Sequence, residues 1–88
     1  MLERLLVEFS SEYDEAGVSA MFLFLGDNYK ALRKNFLALE NYSQAIKIEP
    51  TLREAYIEAA QVMLDIGFYS GAAALLNDIF AKTWRHYI

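Results

Sequence analysis

The chain has 88 residues and no cysteine, carries a formal net charge of -4, and is 56% hydrophobic and 15% aromatic. Its acidic balance, with a pI near 4.8, speaks against a nucleic-acid binder, which needs a basic face for phosphates. The missing thiols exclude disulfides, cysteine nucleophiles and Cys-based zinc sites, and fit a reducing compartment.

The length gives one small domain. A mean hydropathy of +0.14 is more apolar material than so short a chain easily hides. Some of it is expected to face a neighbour, either further repeats or a second copy. No run approaches the roughly 18 uninterrupted apolar residues of a membrane span: the longest candidate, Val18 to Leu25, contains Ser19 and stops at Gly26 and Asp27. The start, Met1-Leu2-Glu3-Arg4 with Glu8 a turn later, lacks the basic-then-apolar order of a secretory signal. A cytoplasmic location is the expectation.

Along the chain, Leu2, Leu5, Leu6 and Phe9 fall at helical spacing and predict a short amphipathic helix over 2–10. Such a segment would not hold alone in water. It reads as the second helix of a degenerate preceding unit or as a cap on the first full one, ended by Ser10-Ser11. The next helix should start near Asp14, whose carboxylate can cap free backbone N–H groups, and run to about Leu32. Gly26 inside it costs roughly 1 kcal/mol of helix propensity against alanine, so it wants a packing reason. Arg33-Lys34-Asn35 reads as a turn, with Asn35 expected as the N-cap of a helix carrying Leu37, Ala38, Tyr42, Ala45, Ile46 and Ile48. Pro50, which cannot continue a helix interior, closes it. The small Ala38 and Ala45 allow two helices to come close.

A shift of thirty-four residues recovers this pattern. Tyr56 answers Phe22, Ala59 answers Leu25, Ala60 answers Gly26 and Met63 answers Tyr29. On the following helix Ala72, Leu76 and Ile79 answer Ala38, Tyr42 and Ala45. Two units follow, 19–52 and 53–86, with residues 1–18 as a leading helix and linker. The second unit runs on to an aromatic end at 88, where Trp84, Tyr87 and Ile88 are expected to fold back or meet a partner.

Phe22-x-x-Leu25-Gly26-x-x-Tyr29, Ala38-x-x-x-Tyr42 and Pro50, in a unit of this length, resemble the tetratricopeptide repeat family. Phe22 stands where tryptophan is usual. The resemblance implies an all-α fold of antiparallel hairpins stacked as a short right-handed superhelix. It also implies that Gly26 admits a close neighbour from the adjacent helix. The first unit departs from the family at its turn. Arg33 replaces the usual glycine and Asn35 the aromatic, with Phe36 one place on to fill that space. The second unit has Gly67 and Tyr69 there. By the same resemblance the first helices of successive units line a concave groove. Its residues are Leu23, Asp27, Lys30 and Ala31, then Glu54, Ile57, Gln61, Leu64 and Asp65: a mixed apolar and acidic floor with Lys30 as its main base. Leu23 and Asp27 occupy key positions of the chaperone-tail-binding subfamily, where they do not suit a carboxylate clamp.

Nothing in the sequence composes an active site. His86, the one histidine, stands beside Arg85 near the end, and no motif brings Ser43, Ser70 or Thr83 to it. Glu54, Glu58 and Asp65 share one side of a helix, which reads as a solvated face without the converging ligands of a cation site. No phosphate-binding glycine loop occurs. No cofactor is expected.

The function these observations imply is a non-catalytic interaction or spacer module belonging to a larger protein. Its partner would be a protein, a peptide or adjacent domains of the same chain, with self-association through the terminal helices as a further possibility. An alternative rests on Leu25-Gly26-Asp27-Asn28-Tyr29-Lys30-Ala31-Leu32, Tyr42-x-x-Ala45-Ile46, Pro50-Thr51-Leu52-Arg53-Glu54-Ala55-Tyr56 and Trp84-Arg85-His86-Tyr87-Ile88. These are similar to the repeat tail behind the catalytic domain of some bacterial family 2 glycosyltransferases. That resemblance implies transferase activity outside these residues.

Overall fold

Apolar stripes at helical spacing, broken only at a left-handed residue or a proline, leave this chain little choice but helix. The computed structural model describes residues 15–84. The helix expected over 2–10, the cap at Asp14, the side chain of Trp84, and Arg85, His86, Tyr87 and Ile88 lie outside the described residues. Four helices follow in order: α1 (Glu15–Ala31), α2 (Asn35–Ile48), α3 (Arg53–Asp65) and α4 (Tyr69–Trp84). There is no strand among the described residues. α1 packs on α2 and α3 on α4, while α2 packs on α3 and α1 touches α3 more lightly. The fold is all-α: two antiparallel hairpins stacked side by side in a solenoid-like arrangement.

The hairpin turns repeat bond for bond. At the end of α1, Arg33 N–H donates to Lys30 O at 3.0 Å and Lys34 N–H to Tyr29 O at 2.9 Å. At the end of α3, Gly67 N–H donates to Leu64 O at 3.1 Å and Phe68 N–H to Met63 O at 2.7 Å. Both are Schellman closures, in which a residue of positive φ lets the chain turn back and cap the last carbonyls. That residue is Gly67 at φ 85 in the second hairpin and Arg33 at φ 61 in the first. Each pair of bonds is displaced from the other by thirty-four positions, the period of the sequence pattern.

The expected cap at Asn35 is corrected. Lys34 is the N-cap residue of α2 and makes no side-chain capping bond, and Asn35 is already helical. With the turn closed from the α1 side by the Lys34 N–H, the chain enters α2 one residue earlier than a capping asparagine would require. At the far end Pro50 is exposed and ends α2 by lacking a donor.

Ala38, Tyr42, Ala59 and Val62 form the buried cluster between the hairpins, with Leu23, Tyr29, Leu39 and Leu75 packed against it. Ala45, Ala55, Tyr56, Ala60, Ala72 and Ile79 are also buried. Small residues on α2 and α3 let the two helices approach, and Tyr42 fills the space between them. A β-carbon added at Gly26 would stand 2.5 Å from Tyr42 Cε1 and 2.7 Å from Cδ1. No side chain fits there, which is why α1 carries a mid-helix glycine.

Several residues expected to pack between units keep substantial exposure. Leu25 is 37% exposed, Leu76 41% and Tyr69 68%, and Phe36 is also exposed. Phe36 is the second residue of α2 and Tyr69 the first of α4. Phe22 and Met63 are half-buried.

The second hairpin is anchored to the linker through Tyr56. Its hydroxyl donates to Pro50 O at 2.9 Å and accepts from Lys82 Nζ at 2.8 Å. Lys82 also reaches Asp78 at 3.2 Å and sits 5.3 Å from the Tyr56 ring centroid. The Tyr56 hydroxyl and the Asp78 carboxylate hold the lysine above the usual ammonium range, against some desolvation.

Candidate binding face

The first helix of each hairpin, α1 and α3, supplies the residues expected to line a groove. A polar contact joins these two helices. Lys30 Nζ donates to Glu58 Oε2 at 2.7 Å and to Gln61 Oε1 at 2.6 Å, fastening α1 to α3. The pair is only partly withdrawn from water, with Lys30 and Glu58 side chains 26% and 32% exposed. It is worth a small stabilisation at most. Its larger effect is on the charge of the face: the main base is matched by Glu58, leaving Asp27, Glu54 and Asp65 exposed.

Asp27 has a second task. Tyr42 donates its hydroxyl proton to Asp27 Oδ1 at 2.6 Å, so the buried ring of α2 ends on a carboxylate at the surface of α1. Burial, then this hydrogen bond and the charges of Asp27 and Glu58, push the Tyr42 phenol far above its ordinary range. Tyr42 therefore stays a neutral donor.

The remaining candidates divide into two depressions. Lys30, Ala31 and Asp65 meet around one of about 480 Å³, with Arg33 and Asn35 on its rim. Glu54 and Ile57 lie at another of about 400 Å³, completed by Glu49, Thr51, Leu52 and Arg53 from the linker. Leu64 is exposed beside them, at 46%. Leu23 is half-buried and packs on the core cluster. Sequence reasoning had set Glu58 aside as part of a solvated carboxylate row. Its partner lies 28 positions away, a distance at which no local pattern signals an ion pair.

Among the described residues, no group of three or more His, Cys, Asp or Glu side chains could hold a metal ion. No helix among them is long and apolar enough to cross a membrane. What the geometry defines is an all-α stack of two hairpins with two surface depressions of mixed charge. No family model, curated protein or solved structure matches the chain.

Proposed function

We propose that this chain is a non-catalytic, tetratricopeptide-like interaction module that presents the α1 and α3 face to a protein partner. One observation carries the reading: the Schellman closures after α1 and α3 recur at a spacing of thirty-four residues, the length of that repeat. The occupied Gly26–Tyr42 contact supports it, since it answers the glycine and aromatic positions of the motif.

The chemistry of the face narrows the partner. Lys30 is matched by Glu58; Asp27, Glu54 and Asp65 are exposed, as are Ile57 and Leu64, with Arg53 and Arg33 at the two depressions. Such a surface suits a segment carrying lysine or arginine beside apolar side chains. The test is titration of the isotope-labelled chain with a lysine- and leucine-rich helical peptide and with its glutamate counterpart, followed by amide shifts. Binding of the basic peptide alone, with shifts gathered on Asp27, Glu54, Ile57, Leu64 and Asp65, is expected. Equal response to both peptides, or shifts elsewhere, rejects the assignment.

A further inference from the structure

Both hairpin turns lie at one edge of the stack. The linker and the end of α4 lie at the other, where Tyr56 bonds Pro50 and Lys82. The described chain starts at Glu15 and ends at Trp84 on that far edge too, so neither of its ends adjoins the turns. At the turn edge, Lys30, Ala31, Arg33 and Asn35 of the first hairpin meet Asp65 of the second around one depression, which puts the turns side by side. Five large apolar side chains stand outside that depression and project: Leu32 is 65% exposed, Phe36 79%, Ile66 38%, Phe68 53% and Tyr69 68%. Phe68 is seated there by Gly71, since a β-carbon at that glycine would strike its ring. From Leu32 to Phe36 and from Ile66 to Ser70 the charges are Arg33 and Lys34, with no carboxylate, although the whole chain has 12 acidic residues to 8 basic. Asp65, the acid next to these turns, shares the depression with Arg33.

We infer that this edge docks on a lipid bilayer with anionic headgroups, the five apolar side chains entering the interface and Arg33 and Lys34 lying among the headgroups. Charge selects that occupant first. Cations bordering apolar side chains are drawn to an anionic surface, each lysine or arginine near it adding about fivefold to binding. Glu49, Glu54 and Asp78, which such a surface would repel, lie toward the opposite edge, with the linker and with Lys82. Shape selects it second. Side chains that project from turn tips, outside the depression, suit a compliant apolar medium that closes around them. Tyrosine settles at headgroup level and leucine, isoleucine and phenylalanine just below it. Attachment of this kind lies on the bilayer and needs no spanning helix. It should be reversible and weaken with salt, because its charges are exposed. The inference uses the turn edge and not the α1 and α3 face, so peptide binding and lipid binding can fail independently.

Co-sedimentation of the full chain with vesicles tests it, comparing phosphatidylcholine alone with equal parts of phosphatidylcholine and phosphatidylserine. The wild type should bind the anionic vesicles, and the neutral ones roughly tenfold more weakly or less. Phe36→Ser and Tyr69→Ser should each weaken binding by roughly tenfold, through lost apolar burial. Arg33→Gln with Lys34→Gln should weaken it by about tenfold or more and remove most of its salt dependence. All four side chains are exposed, so the fold should stand, as circular dichroism would show. Phe24→Ser, which removes an aromatic ring 67% exposed in the middle of α1, should bind as the wild type does. A wild type that binds neither vesicle, equal binding to both compositions, or a loss in Phe24→Ser that matches Phe36→Ser overturns the inference. So do turn amides that respond to the glutamate peptide while vesicles stay unbound, which would give the edge to a protein partner.

Discussion

The first hairpin and the second share a backbone and differ in how they fill it. In the first, glycine at position 26 faces a tyrosine at 42; one period later the corresponding positions hold alanine at 60 and leucine at 76. Volume has moved from one helix of the hairpin to the other. The tyrosine of the first pair is fully buried because α3 covers it, while the leucine of the second is 41% exposed. The turns differ in the opposite sense: the second has the glycine its left-handed residue favours, and the first makes the same closure with Arg33. The repeat is therefore conserved in geometry and exchanged in chemistry. Where a neighbour is packed on top, the larger and more polar side chain is used.

Breaking that exchange should give the largest effect. Gly26→Ala gains about 1 kcal/mol of helix propensity but sets a methyl against a ring that cannot swing away, at an overpacking cost of about 1–3 kcal/mol. The Tyr42 ring is buried on α2 and its hydroxyl is tied to Asp27, so we expect the upper part of that cost and a net loss of about 1–2 kcal/mol in chemical denaturation. In the Tyr42→Leu background, which imitates the second hairpin, the same substitution should become stabilising by up to about 1 kcal/mol. An identical sign in both backgrounds would show that the ring is not what excludes a side chain at position 26.

How much of this was open to sequence reasoning depends on the distance over which each feature is set. The period and the helices of residues 15–84 are set by local patterns and were readable, and the resemblance supplied the close neighbour of Gly26. The same reading marked Leu25 and Leu76 as packing residues, because periodicity records which face a unit uses and not whether anything sits on it. Lys30 finds Glu58 and Gln61 at separations of 28 and 31 residues, set only once α1 and α3 lie side by side. Arg33 was legible only in part. The resemblance marked position 33 as the turn glycine's place, but a long charged residue there gives no local sign that it adopts the left-handed conformation, which follows from the two capping bonds the turn must make. Asn35 was read as a cap on propensity alone, and that Schellman closure took precedence.

A second way to sharpen the comparison is alkaline titration, since the buried phenol occurs in only one hairpin at this position. An unfolded tyrosine ionises near pH ~10. Folded Tyr42 keeps its proton well beyond that, through burial and through donation to Asp27. Above pH ~10 the unfolded chain thus holds fewer protons than the folded one, and stability from this residue falls by up to about 1.4 kcal/mol per pH unit. Below that range its contribution is complete and independent of pH. Lys82, also raised, adds a loss of the same sign as pH climbs through its folded value. Denaturation midpoints measured from neutral to strongly alkaline pH should fall, less so for Tyr42→Phe, with the residual slope reduced further in Lys82→Met. A Tyr42→Phe variant as alkali-sensitive as the wild type would count against a protonated phenol in the core.

The smallest expected effect lies in the turns, and there the two hairpins should respond with opposite signs. An L-residue held in the left-handed region costs roughly 1–2 kcal/mol, and glycine escapes most of that penalty while losing more freedom on folding. Arg33 is exposed, so replacing it forfeits little packing, and Arg33→Gly should stabilise by a few tenths to about 1 kcal/mol. Gly67 meets nothing within 4 Å of where a β-carbon would sit. Its glycine therefore serves the backbone and not the space around it, and Gly67→Ala should destabilise by about 1 kcal/mol. Thermal melts of the two single variants and the double variant would decide this. The double variant exchanges the turn chemistry of one hairpin for that of the other in kind, and its two effects should nearly cancel. If Gly67→Ala were neutral while Arg33→Gly destabilised, the guanidinium would have to hold the first turn by a contact stronger than its backbone strain. The equivalence of the two Schellman closures would then be one of shape without a shared energetic cause.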